Sequence, residues 1–228
     1  MNDFFNGYEH DDVASEKIAK GGSIKISPNV ISTIAGIAAE EIEGVGGMYS
    51  SLPNTIAEKI GAKYYTFHGT ARLKKLPINI NFDHVGKYIN LAEDVCEKHG
   101  IKIAYENVHW CYYNYVGFFK ELKKRENRLK GTFDIKQARL SGVEYKDFIE
   151  EMGSDIVTVH LSDIDENGKM CLPGKGITDF YDIFSRLNDV GFDGAMLIEV
   201  YKGDYEREEE LFESLEYIKG LQSKIFNR

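Results

Sequence analysis

Five residues able to hold a metal or move a proton, His68, Glu106, Asp134, His160 and Glu199, each fall at or near the end of a short β-rich run in this 228-residue sequence. The runs are KYYTFH (63–68), IKIAYE (101–106), GTFD (131–134), IVTVHL (156–161) and AMLIEV (195–200). A single carboxylate at a strand end is ordinarily solvated or caps the next helix; five ligand-type side chains at the same address point to a shared polar site. Glu106, Asp134, His160 and Glu199 offer three carboxylates and one imidazole, hard donors that suit Mn²⁺ first, then Mg²⁺ or Co²⁺. Structural zinc would want thiolates, and the set has none. A cation held there can bind two adjacent oxygens of a sugar, polarise a carbonyl and stabilise an enediolate, while two glutamates pass a proton on and off the carbon between those oxygens.

For these residues to meet, their strands must lie side by side. Helical patterns separate them: Val85, Tyr88, Ile89, Ala92, Val95 and Cys96 recur at helical spacing before Gly100, and Phe180, Ile183, Phe184, Leu187 and Val190 before Gly191. A last helix runs around Leu211, Leu215 and Ile218, opened by the acidic EREEE (206–210), which suits the positive end of a helix dipole. This alternation predicts an α/β fold with parallel strands and right-handed crossovers, as a sheet or barrel. Barrel sites are built on the rim formed by the C-terminal strand ends.

Upstream, the sequence changes character. Ile24 and Ile26 mark a short strand, Ser27 can cap a helix with Pro28 at its first position, and Ile31, Ile34, Ala35, Ala38 and Ile42 form one apolar stripe that ends at Gly44–Gly47. The stretch IKISPNVISTIAGIAAEEIEGVGGM resembles the start of the alkaline-shock family of envelope-stress proteins. The resemblance implies an N-terminal fragment, strand plus helix, over residues 1–61.

Bulk properties narrow the partners. A content of 43% hydrophobic and 29% charged residues is that of a globular chain, and a net charge of −9 without a basic cluster argues against nucleic acid. Cys96, Cys111 and Cys171 form no C-x-x-C pair and read as packed thiols of a reducing compartment. No apolar run reaches the roughly 18–20 residues of a membrane span, and the acidic start is unlike a signal peptide. The expected compartment is the cytoplasm.

The motifs YYTFHG, IAYENVHWC, TFDIKQA, VTVHLSDID, CLPGKGITDF and GFDGAMLIEVY, taken in order over residues 62–228, resemble the sugar-phosphate isomerases/epimerases of the xylose-isomerase-like TIM barrel superfamily. That resemblance implies an incomplete barrel, the last five βα units of eight, with a sugar or sugar phosphate as substrate. It makes Glu106, Asp134, His160 and Glu199 the metal ligands and Glu106 and Glu199 the acid/base pair. It makes His68 a rim histidine that approaches substrate or a second metal, and leaves Gln137, which stands where many relatives carry histidine in D-x-x-H, a hydrogen bond to substrate; Asn107 and, from the PGKG turn, Lys175 are further substrate-binding candidates. The related endonuclease-four-like nucleases need that histidine and a D-x-H after HLSD, where this sequence reads DIDENG. A polyol dehydratase is a chemical neighbour. A non-catalytic chimeric remnant or stress-associated binding protein is the rival from another class. An open barrel edge would call for cover by the N-terminal piece or by a second chain.

His109 and Trp110 either line the pocket or roof it, and PGKG (173–176) either meets a phosphate through backbone N–H groups or is a plain turn. His84 and His99 are expected at the surface.

Overall fold

The computed structural model describes residues 62–72 and 79–226. The strand and helix expected within residues 22–48, and the whole 1–61 segment, lie outside the described residues. The strands are β1 (Tyr64–Phe67), β2 (Lys102–Glu106), β3 (Lys130–Asp134), β4 (Ile156–Leu161), a hairpin of β5 (Asp163–Ile164) and β6 (Met170–Cys171), and β7 (Ala195–Ile198). The helices are α1 (Phe82–Lys98), α2 (Phe118–Lys123), α3 (Ile135–Leu140), α4 (Tyr145–Met152), α5 (Phe180–Asp189) and α6 (Glu209–Ile225).

The five expected strands form one parallel sheet in the order β1-β2-β3-β4-β7, which is also their order along the chain. At least one helix lies in every crossover. Sequential parallel order with a helix per step is the pattern of a barrel wall, and the sheet is a curled, five-stranded part of a TIM barrel. The curl shows in Thr66 of β1 and Thr132 of β3, whose hydroxyls lie 3.2 Å apart although β2 runs between them. Ala104, paired with Thr66 in register, has too small a side chain to keep them apart. Among the described residues β1 and β7 are each paired on one side only.

Local sequence accounts for the helix limits. Asn81 caps α1 by accepting from the His84 N–H, and Gly100 ends it at φ +69, a conformation that costs a residue without Cβ little. Gly191 does the same after α5 at φ +75. In α5 the expected stripe of Phe180, Ile183, Phe184 and Leu187 is buried. Two stripe assignments differ. Tyr88 is 50% exposed, its ring edge-on to His84, and Leu215 gives way to Ser214 on the inner face of α6. The hydroxyl of Ser214 reaches that face to donate to the Pro173 carbonyl, so a polar residue holds an apolar slot.

Cys96 and Cys111 are buried and unbridged, and burial pushes their thiols up to about 11 and about 12, so both are poor nucleophiles. Cys171 is half-buried. His84 is exposed and His99 half-buried. No helix among the described residues is long and apolar enough to cross a membrane.

Glu93 is a second residue of α1 that periodicity misplaces. It is fully buried, one carboxylate oxygen accepting from the Ile103 N–H and the other without a partner. Burial raises its pKa from 4.5 to about 7. A group that binds its proton more tightly when folded adds stability below the unfolded value, and that stability is lost as pH rises through the folded one. Glu93→Gln keeps the acceptor and removes the charge. It is expected to leave stability near pH 4 almost unchanged and to raise it by about 1–3 kcal/mol at pH 8. Denaturant unfolding at the two pH values measures the difference; an equal shift at both would contradict the assignment.

Candidate metal centre

Register brings the polar strand ends together. Asp134 pairs with His160 across β3 and β4, Glu106 ends β2, and Glu199 follows the last residue of β7. Alternation then decides the face: Ala104, Thr132 and Thr158 sit two residues before Glu106, Asp134 and His160, so a layer of small side chains lies beneath the cluster. Glu199, expected inside a strand ending at 200, lies just beyond β7, and its backbone N–H donates to the Leu161 carbonyl, continuing the ladder.

The four ligand atoms offered by Glu106, Asp134, His160 and Glu199 all lie within 4.8 Å of one another. His160 Nδ1 is 2.7 Å from Glu199 Oε2, 3.2 Å from Glu106 Oε1 and 3.6 Å from Asp134 Oδ2. Despite these distances, His160 Nδ1, Glu106 Oε2 and Glu199 Oε2 are buried without a hydrogen bond of acceptable angle. Atoms that crowd one another without pointing at one another share a common target, and the donor set fits a divalent cation.

Electrostatics agree. Burial works against charge on His160, but the three surrounding carboxylates outweigh it and raise the imidazole well above its ordinary value. Burial likewise opposes ionisation of Glu106, yet His160 and His68 hold its carboxyl low. Burial, with Glu106 and Glu199 nearby, raises Asp134. Without a cation, a protonated His160 is the central charge that balances these carboxylates, with His68 beside Glu106. A divalent ion would supply that charge and leave the imidazole neutral, as a ligand must be.

The surroundings hold the ligands in place. Asp134 caps α3, Oδ1 accepting from the Gln137 N–H at 2.7 Å, which leaves Oδ2 toward His160. Asn107, fully buried, donates to the Asp134 carbonyl at 2.9 Å and accepts from the Asp134 N–H at 2.8 Å, so its amide fixes the ends of β2 and β3. His68 Nε2 lies 2.8 Å from Glu106 Oε2 and its ring meets Trp110 edge-to-face, at the exposed side of the cluster. Gln137 Oε1 accepts from the His109 N–H and lies 2.6 Å from His109 Nδ1. Lys175 pairs with Glu213 on α6.

The PGKG turn has its N–H groups already engaged. Asp163, 1% exposed, accepts from the N–H groups of Gly174 and Gly176 through Oδ2 and from those of Ile164 and Thr178 through Oδ1. A protein carboxylate therefore fills the anion nest that the sequence offers to a phosphate. The D of HLSD was the available signal.

Residues 55–221 match the family described as xylose isomerase-like TIM barrel. The chain belongs to that family. Among solved members of this fold, a D-tagatose 3-epimerase-like protein superposes with a TM-score of 0.61 at 20% identity, covering 88% of this chain and 85% of that one. D-psicose 3-epimerase, solved in the presence of D-fructose, gives 0.57 at 15% identity over 77% of this chain and 68% of that one. The IOLI protein, solved with a zinc atom, gives 0.55 at 19% identity over 75% and 65%. At these identities the likeness is one of fold. The uncharacterized protein MJ1311 of Methanocaldococcus jannaschii is 30% identical over 131 residues, 52% of this chain. The chain spans 42% of that relative's length.

Proposed function

We propose that this xylose isomerase-like chain is a divalent-metal-dependent isomerase or epimerase of a sugar or sugar phosphate. The observation that carries the reading is the convergence of Glu106, Asp134, His160 and Glu199 from four strand ends onto one space. These four would hold the ion, with Mn²⁺ favoured by three hard carboxylates and Mg²⁺ or Co²⁺ next. When bound, the ion supplies Lewis-acid polarisation of a sugar carbonyl and its neighbouring oxygen. Glu106 and Glu199 come from β2 and from the end of β7, strands separated in the sheet by β3 and β4, and so approach the space from two directions. Each is within reach of a carbon lying between them, one to remove a proton and the other to return it. Burial of the cluster excludes water from the deeper side, while His68 and Trp110 stand at the open side, where a sugar would enter and stack.

In deuterated water with Mn²⁺, the full chain is expected to place deuterium at the carbon beside the carbonyl of at least one ketose in a panel followed by NMR. Glu199→Gln is expected to abolish that uptake. Bound metal without uptake on any ketose or ketose phosphate would sink the isomerase reading and favour a binding protein. That second reading draws on the one-sided pairing of β1 and β7 among the described residues. Uptake that survives Glu199→Gln would remove Glu199 from the acid/base pair.

A further inference from the structure

Lys136, two residues past the metal-cluster residue Asp134 on α3, is 8% exposed and the most buried cationic side chain among the described residues. Two part-buried cations elsewhere in the fold pair with carboxylates. Lys130 pairs with Asp155 at 2.8 Å, and Arg128 with Glu126, Asp94 and Glu97 at 2.6–3.0 Å. The Lys136 ammonium has no ion pair or hydrogen bond among the described residues; it lies over the Tyr201 ring, 4.7 Å from ammonium to centroid. Tyr201 is 66% exposed, so the ring covers the ammonium from the solvent side. A buried ammonium with no direct ion pair or hydrogen bond is costly, and a fold keeps one mainly where a ligand completes it.

The position of the ammonium connects it to the metal cluster. Tyr201 follows Glu199 by two residues, and while His160 chiefly holds the Glu199 carboxyl ionised, the positive charge of Lys136 is near enough to add a smaller part. Lys175, the cation that the sequence offers for a substrate phosphate, pairs at the surface with Glu213. We propose that Lys136 receives an anionic group of the substrate, a phosphate or a carboxylate, so that the site selects acidic sugars over neutral ones. The inference rests on the sugar-binding part of the proposed function and goes beyond it by naming the substrate class and the residue that reads it.

The test measures binding and needs no turnover. The Mn²⁺-loaded full chain is titrated calorimetrically with D-fructose, D-fructose 6-phosphate and 2-keto-D-gluconate. One of the two acids is expected to bind about 10- to 100-fold tighter than D-fructose, the worth of one charge-assisted contact; which acid it is identifies the anion. Lys136→Met, which keeps the aliphatic stem, is expected to erase that preference while D-fructose and Mn²⁺ affinities stay within about twofold, and Lys136→Arg to retain part of it. Three results would overturn the inference: wild-type indifference to ligand charge, failure of both acids to bind, or equal losses for acid and neutral sugar in Lys136→Met. Equal losses accompanied by weaker Mn²⁺ binding would mean that Lys136 merely balances Glu199. A Lys136-dependent preference without deuterium uptake would remove the proposed reaction and leave the inference standing. Uptake on D-fructose with no preference for acids would do the reverse.

Discussion

Glu106→Gln is expected to weaken Mn²⁺ binding by at least about 100-fold and to slow deuterium uptake by about 10³-fold even when metal is saturating. The two losses have different origins. Glu106 is one of three carboxylates facing His160, and the amide that replaces it brings no charge to a divalent ion. The second loss follows from the proposed proton transfer: an amide takes up no proton, so saturation with metal does not restore the rate. Because Gln is isosteric and Glu106 is 2% exposed, packing against the layer below is retained and the variant should fold. Calorimetric titration with Mn²⁺ and the NMR exchange assay read the two losses separately. Weakened metal binding with a normal exchange rate at saturation would keep Glu106 as a ligand and exclude it as acid or base. Undiminished metal binding would dismantle the cluster as a metal centre.

Much of this site was readable because a parallel sheet converts sequence into geometry by a short rule. A polar residue closing an apolar run lands on the C-terminal rim, and strands that follow one another through helices become neighbours. The rule placed Glu106, Asp134 and His160 with no knowledge of contacts, and it placed Glu199 although that residue lies one position past β7. The residues it missed are those whose role depends on partners remote in sequence. Glu93 and Lys136 occupy buried positions that a periodicity argument assigns to apolar side chains, since periodicity records spacing and ignores what a neighbouring element offers. Ile103 supplies Glu93 with a donor, and Tyr201 supplies Lys136 with a ring 65 positions away. Glu151 shows the same limit, since its carboxylate on α4 accepts from the N–H groups of Gly117 and Lys120 at the start of α2. The short hairpin of β5 and β6 was unread because two-residue strands have no period to detect.

Asp163→Ala is expected to be the most destabilising single substitution considered, lowering stability by about 3–4 kcal/mol. Four backbone N–H groups, of Ile164, Gly174, Gly176 and Thr178, converge on this one carboxylate at 2.8–3.1 Å. Each donor left buried without an acceptor costs about 1–3 kcal/mol, and water that enters the space of the lost side chain recovers part of the sum. The chain has no cheap way to relax. A Cβ on Gly176 would lie 2.2 Å from the Ile164 carbonyl oxygen and one on Gly174 2.7 Å from the Tyr217 ring, so the loop is already pressed against β5 and α6. For a chain of this length the loss corresponds to a fall in Tm of roughly 6–16 °C, read by thermal unfolding of the full chain. Asp163→Asn keeps one acceptor oxygen but turns an N–H₂ group toward donors, and should fall between wild type and Asp163→Ala. The loop leads from the hairpin into α5, whose Asp179 cap lies one residue past Thr178, so its loosening should unsettle α5 ahead of the sheet. Hydrogen exchange should then quicken in residues 172–187 before it does in β3 and β4. Uniform quickening, or an unchanged Tm, would mean that the carboxylate is dispensable to the loop and that the N–H groups of PGKG remain open to a substrate anion after all.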